Sequence, residues 1–390
     1  IYILLNYYFF LCFGKVGAYS YFCSILMIKN WNIKDILALL YSRRVNSREV
    51  KNIVDSYDSF TDFLIGNSPI IKKIKPDTLF VKDADNIYEK VDSQLELCER
   101  NNVFITSVWD DNYPALLKEI HYPPLVLYVR GSLQDANTEA ISIVGTRKAS
   151  TYGMLATEKF VEAFVREGII IVSGLANGID TKSHLETIKN KGITYAVIAS
   201  GIDRINPIIS NKNAERIIEV GGAIISEYPC GTKALPAFFP QRNRIISGIS
   251  RATLVIESAE KGGSLITAKF AFDQEREVFA LPGNIFSDKS KGTNRLFAKN
   301  LAIPALSPEY ILSELGIANE NNISMFKKEQ FEKLGKQERM LIELINHEPK
   351  QIDDIAQQAD MEISTLIVKL LEMEFQGLIR QLPGKYYIKM

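Results

Sequence analysis

At roughly 150 residues per domain, a chain of 390 residues has room for two or three domains. Its 46 lysines and arginines are balanced by 46 aspartates and glutamates, which excludes a general electrostatic grip on a polyanion or an anionic membrane and confines any such site to a local patch. The 46% hydrophobic and 24% charged shares exclude a disordered or fibrous chain. The four scattered cysteines, Cys12, Cys23, Cys98 and Cys230, form no CxxC, so neither a disulfide framework nor a zinc site is expected, and a reducing, cytoplasmic setting fits.

The first thirteen residues are almost wholly apolar, but Asn6, Gly14 and Lys15 interrupt them short of the ~20 residues of a membrane helix. The first methionine is Met27, so residues 1–26 are expected to be upstream sequence foreign to the natural chain. Residues 27–100 read as a small helical domain, with Ile36, Leu37, Leu39 and Leu40, then Val50, Ile53 and Val54, at three-and-four spacing. The hairpin glycines of a DNA-binding helix-hairpin-helix are missing between Tyr41 and Val54, which favours a packing role.

Residues 101–315 form the next unit. From Glu139 onward, short apolar runs alternate with amphipathic stretches: Ala140 to Val144, Ile169 to Val172, Tyr195 to Ala199, Ala223 to Ile225, Thr253 to Ile256 and Val278 to Leu281. This alternation predicts an α/β, doubly wound parallel sheet covered on both faces, with ligands beyond the carboxyl ends of its strands. Residues 316–330 read as a polar linker. Residues 331–390 read as a winged helix, with three helical segments and a terminal hairpin turning at Pro383 and Gly384. Its would-be recognition helix carries Glu372 and Glu374 where phosphate would lie, so it is expected to meet protein or another domain rather than duplex DNA.

Several loops at the strand ends suit an anion. Gly145, Thr146 and Arg147 precede a helix that Ser150 or Thr151 would cap, leaving backbone N–H groups toward a phosphate. An ordinary turn with a solvated arginine fits that loop equally well. Ser173 and Gly174 open a second loop with Gly178, and Asp180 is placed to cap the helix after it. His184 reads as a structural hydrogen-bonding residue, since no serine or cysteine elbow accompanies it. Between Glu227 and Glu257 no acid occurs, whereas Lys233, Arg242, Arg244 and Arg251 do. Phe238, Phe239, Arg242, Asn243 and Arg244 there combine rings with cationic forks, as an unpaired strand requires. Burial of a phenylalanine in the core and pairing of the arginines with carboxylates is the competing reading of the same run. Lys261, Gly262, Gly263 and Ser264 form another glycine-rich loop before a helix, and a long loop carries Lys289, Lys291 and Arg295. No P-loop, HExxH, GxSxG or GxGxxG motif is present, so no catalytic machinery, metal or cofactor is expected.

The ordered set ITSVWDDNYPALLKEIHYPPLVLYVRG, VGTRKASTYG, SGLANGID, ASGIDRINP, SEYPCGTK, FPQRNRIISGIS, EKGGSLITA, LPGN and KGTNR resembles the DNA-processing protein A (DprA/Smf) family, as does the C-terminal piece from Ile352. The resemblance implies an extended Rossmann-like domain between a small SAM-like helical domain and a winged helix. It also implies a homodimeric, non-enzymatic protein that binds single-stranded DNA, protects strands taken up in natural transformation and loads RecA recombinase onto them. Carried over by motif, Gly145, Thr146 and Arg147 would contact phosphate, with Ser173 and Gly174 lining the same pocket. Phe239 would meet a base, and Arg242, Asn243 and Arg244 would complete the strand path, with Lys261, Gly263 and Ser264 a second group. Asn177 stands where many relatives carry Arg, which implies one cationic contact fewer. A nucleotide-binding or nucleotide-hydrolysing Rossmann-like enzyme is the alternative, but the carboxylate such chemistry needs just beyond the glycines is missing at residues 265–269.

Overall fold

A computed structural model of the chain describes residues 31–42, 45–65, 84–205, 210–317, 335–346, 348–375 and 378–389. Residues 1–26 and most of the expected linker lie outside these.

Among the described residues, four helices precede the sheet: α1 (Ile33–Tyr41), α2 (Ser47–Ser56), α3 (Phe60–Ile65) and α4 (Ala84–Arg100). Asn32 caps α1 by accepting from the Asp35 amide, and Asn46 with Glu49 forms a capping box on α2. Their apolar faces bury Ile36, Leu37, Leu39, Val50, Ile53 and Val54, as the spacing requires. This core does not stand alone. It continues without a break into the sheet, and the Tyr41 and Tyr128 hydroxyls meet at 3.3 Å across the junction.

The central unit is a nine-stranded sheet in the order β1-β2-β6-β5-β4-β3-β7-β8-β9. Strands β3 (Ala140–Val144), β4 (Ile170–Ser173), β5 (Thr194–Ile198), β6 (Ala223–Ser226), β7 (Ala252–Val255), β8 (Glu277–Ala280) and β9 (Ile303–Pro304) run parallel. The apolar runs place six of these within a residue at each end. Two antiparallel strands extend the sheet beyond β6: β1 (Val103–Ser107) and β2 (Val126–Gly131). Around β3 the pleat sorts residues between two cores, with Ala140 and Val144 on one face and Ile141 and Ile143 on the other. One hydroxyl pair, Ser142 with Thr253 at 2.7 Å, is buried between β3 and β7 and satisfies itself there.

Helices α6 (Thr151–Arg166), α7 (Ile179–Lys189) and α12 (Pro308–Glu314) share the Ile141 face through Phe160, Phe164, Ile179 and Ile311. Helices α9 (Phe238–Ile249) and α10 (Ser264–Asp273) share the opposite core through Ile245, Ile246, Ala268 and Ala271. The chain completes β3 to β6 on one side of β3 and then crosses by α9 to β7 on its other side. Strand order therefore reverses at β3, and the crevice of a doubly wound sheet opens beyond its carboxyl end. The remaining helices of this unit are α5 (Ala115–Glu119), α8 (Ser210–Glu219) and α11 (Lys291–Ala298). The expected long basic loop is thus helical from Lys291 on.

The C-terminal unit comprises α13 (Lys336–Leu344), β10 (Lys350–Gln351), α14 (Ile352–Ala359), α15 (Ile363–Phe375), β11 (Ile379–Leu382) and β12 (Tyr386–Lys389), a winged helix with its own core. Its hairpin turns through Gly384 at φ 83° and Lys385 at φ 59°. Arg380 on β11 pairs with Glu158 on α6, a carboxylate that Lys182 also holds at 2.5 Å. Among the described residues no helix is long and apolar enough to cross a membrane.

Candidate nucleic-acid interface

Two loops at the carboxyl edge of the sheet are locked to each other. Gly145 ends β3 with its α-carbon against Ile179, where a Cβ would stand 2.6 Å from the Ile179 Cγ1. Gly178, at φ +84°, lies on the backbone of Thr146 and Arg147, a conformation and an approach that exclude any side chain. The Ile179 amide donates to the Thr146 carbonyl at 3.2 Å. Asp180 is buried beneath the junction and accepts from the amide of Gly174 at 3.2 Å, with those of Ala176 and Gly145. Asp180 is therefore a clamp inside the first turn of α7, and the capping position falls to Gly178.

The first half of α9 closes the site from the other face. Arg242 is 5% exposed, and its Nη1 donates to the Gly174 carbonyl at 2.8 Å and to the Val197 carbonyl. Its Nε donates to the Asn243 Oδ1 at 3.2 Å. The guanidinium stands near enough to Asp180 for their opposite charges to be felt, so two charged groups are buried close together where β3, β4 and β5 end. Burial pushes the Asp180 carboxyl up to about 6 against the opposing pull of Arg242, and brings Arg242 down to about 10. Arg244 pairs with Glu227 through Nη2 alone, which reaches both carboxylate oxygens at 2.6 and 2.7 Å. The expectation that Arg242 and Arg244 line an open strand path is thus corrected. Desolvation drives each onto acceptors of its own protein, and they hold the edge together rather than facing a ligand.

Phe239 lies one turn before Asn243, half-buried, and takes part in none of the hydrophobic cores. Phe238 is held differently, stacked on Tyr228 with ring centroids 4.1 Å apart and planes 19° from parallel. Arg147 and Lys148 are exposed beside this turn, and Arg147 is close enough to Arg242 to disfavour its charge. Gly145, Thr146, Arg147, Gly174, Arg242 and Asn243 are therefore brought together, with Phe239 one helical turn away. Ser173 is buried, its hydroxyl donating to the Ile143 carbonyl at 2.6 Å, so it supports the strand end from within.

The helix N-terminus itself is not open. Ser150 caps α6, accepting from the Gly153 amide at 3.1 Å. The buried Glu257 carboxylate accepts from the Ser150 amide at 2.9 Å and from its hydroxyl at 2.5 Å, while the Glu257 carbonyl takes the Thr146 amide at 2.8 Å. A carboxylate from the loop just after β7 thus fills the place where an anion would meet the helix dipole. Sequence reasoning missed this residue. Its only signal was an acid directly after an apolar run, opposite a serine-capped helix.

The β7 loop is less engaged. Lys261 and Gly263 are exposed. Ser264 is the first residue of α10 rather than its cap, and its buried hydroxyl donates to the Ser258 hydroxyl at 2.9 Å. Arg295 pairs with Glu260 at 3.0 Å and Lys291 with Asp288 at 2.6 Å, which removes two of the three expected cations from the basic loop. His184, also fully buried, serves structure. The Thr194 hydroxyl donates to the Ile171 carbonyl at 2.6 Å and so must accept from Nδ1–H of His184 at 2.7 Å. Burial brings the ring down to about 3, with the nearby Arg242 charge acting in the same sense, so it is neutral.

More than half of the chain, residues 104–316, matches the family described as DNA recombination-mediator protein A, and residues 329–385 match the DprA winged helix domain. The chain belongs to the DprA/Smf family. It is 34% identical over 305 residues to protein Smf of Escherichia coli (strain K12), covering 76% of this chain and 80% of that protein. To the DNA processing protein DprA of Bacillus subtilis (strain 168) it is 36% identical over 253 residues, 64% of this chain and 84% of the relative. Among solved structures it is similar to the X-ray structure of DprA from Streptococcus pneumoniae, with 29% identity, a TM-score of 0.57, and coverage of 72% of this chain and 97% of that one. The sheet edge described above is, in family terms, the carboxyl edge of a recombination-mediator domain.

Proposed function

We propose that this DprA/Smf family member binds single-stranded DNA at the carboxyl edge of its sheet, protects it, and hands it to a RecA-type recombinase during natural transformation. It acts in the cytoplasm as a homodimer and performs no chemical step. The observation that supports the reading is the fusion of two glycine loops with α9 through Arg242, beside which Arg147 is exposed, with Phe239 one turn earlier on the same helix. A ring on which a base stacks, beside cations that follow the backbone, is sufficient for a single strand, whereas a duplex keeps its base faces covered. Arg242, Asn243 and Arg244 are the frame of this site. Arg147 meets phosphate on the loop that Gly145 and Thr146 shape, Phe239 meets a base, and exposed Lys261 and Gly263 extend the path, with Ser264 supporting their loop from within.

The enzymatic alternative is disfavoured by Glu257. Its carboxylate occupies the α6 N-terminus that a nucleotide phosphate would use, and like charge repels like there.

Competition between unlabelled single-stranded and duplex oligonucleotides for the full-length protein tests the reading. The single strand is expected to displace a labelled oligodeoxythymidylate at far lower concentration, with affinity falling steeply as salt rises. Equal or better competition by duplex would contradict it. Protein-dependent recruitment of purified RecA to the bound strand then tests the hand-over.

A further inference from the structure

Two of the cysteines, 132 positions apart in the chain, come together. Cys98 lies in the last turns of α4 and Cys230 in the loop between β6 and α9, and their sulfurs are 3.9 Å apart. Both are free thiols, 2% and 6% exposed. The surroundings treat them unequally. The neighbouring Cys230 sulfur, and after it the Gln94 side-chain amide that donates to the Cys98 sulfur at 3.5 Å, draw Cys98 down from the ordinary thiol value against the opposing effect of burial. Burial and the same partnership push Cys230 up, and the Asp203 carboxylate acts in the same sense on both. Tyr41 from α1 and Tyr128 from β2 also face the pair, as neutral phenols whose ionisation burial opposes. Gly231, next in sequence, has φ +87° with open space where a Cβ would stand, and its amide donates to Asp203 at 2.7 Å.

We propose that Cys98 and Cys230 form a reversible, peroxide-responsive disulfide that staples the N-terminal helices to the loop entering α9. The thiolate of Cys98 attacks one oxygen of hydrogen peroxide. The O–O bond breaks, hydroxide leaves, and Cys98 becomes a sulfenic acid. The Cys230 sulfur then attacks the Cys98 sulfur, the S–S bond forms, and the sulfenic oxygen departs as water with the Cys230 proton. Two thiols are oxidised by two electrons in all, and one peroxide is reduced to two waters. In a reducing compartment the thiol form is the resting state, and the bond forms only under oxidant. The bond would tie down the segment that leads directly to Phe239 and Arg242.

The test uses the full chain carrying Cys12→Ser and Cys23→Ser, so that only this pair reacts. After limited peroxide treatment, intact mass should fall by about 2 Da, the two hydrogens lost. Proteolysis without reductant should yield one peptide joining Cys98 to Cys230, and the melting temperature should rise by several degrees and return with dithiothreitol. Adding Cys230→Ser should abolish the mass loss and leave Cys98 trappable by a sulfenic-acid reagent. Should that variant fail to fold, the reversal by dithiothreitol in the parent still decides the question. Retention of both thiols, or a gain of oxygen at Cys98 without the joined peptide, would overturn the proposal. Because the readouts are mass and stability, failure here leaves the DNA-binding reading untouched.

Discussion

Arg242 and Arg147 show how two similar residues in one edge take opposite roles. The guanidinium of Arg242 is buried on two carbonyls with the Asp180 charge nearby, and that of Arg147 stands in solvent. Truncating the first removes those hydrogen bonds and the positive charge that offsets the buried Asp180 carboxyl, which costs about 3–5 kcal/mol. Arg242→Ala should therefore lower unfolding free energy by that order in denaturant titration. Arg147→Ala should change it by less than about 0.5 kcal/mol, as exposed substitutions do. Equal stability of both variants would show that Arg242 is not part of the frame. His184 supplies a pH signature. In the unfolded chain its ring protonates near its ordinary 6.5, whereas in the native state it does so only near 3. The unfolded state thus holds more protons between those values, so the contribution of His184 is complete above pH 6.5 and is lost as pH falls toward 3. Between pH 7 and pH 5 the protein should lose about 2 kcal/mol more than a His184→Asn variant, read from denaturant midpoints at each pH.

At the scale of the element, the β3–α6 and β4–α7 loops act as one body, because Gly178 touches the Thr146 and Arg147 backbone and Asp180 ties both from below. A methyl group at position 178 meets both a positive φ and a backbone collision, a combination worth roughly 1–3 kcal/mol of strain. Gly178→Ala should lower the melting temperature and weaken oligodeoxythymidylate binding together, since the loop that presents Arg147 must shift. A melting temperature unchanged from the parent would show that the two loops are not locked. The end of α6 carries the complementary lesson. Serine capping is legible in sequence because a hydroxyl before a helix has one obvious use. The arrival of Glu257 from a strand more than a hundred residues later is not, since nothing local announces which carboxylate will reach a given dipole. Arg244 with Glu227 is the same case. The acid-free stretch suggested free cations, yet the acid that ends one strand folds back onto the helix that follows.

For the whole molecule, the apolar runs placed β3 to β8 because a parallel strand buried on both faces has no polar period to confuse it. The antiparallel pair β1 and β2 escaped the reading, lying before the run of alternating elements began. The spacing of the first helices was legible, but their merger with the sheet core through Tyr41 and Tyr128 was not, as it depends on tertiary contact alone. The winged helix was legible as a unit with its own core. Its contact with α6 runs through Arg380 on β11 and Glu158, not through the acidic helix α15. Of the candidate site, the glycines join the two loops and Arg147 is exposed on them, as the motif reading expects. The two other arginines turned inward, because a cation beside strand-end carbonyls finds its acceptors within the protein. The account rests on Arg147 and Phe239 sharing one strand-binding edge, and a fluorescence titration of labelled oligodeoxythymidylate with the parent, Arg147→Ala and Phe239→Ala proteins tests it most directly. Each variant, folded as the parent is, should bind more weakly, with the loss at the stacking ring about 1–3 kcal/mol. Parent-like affinity in both variants would contradict the account.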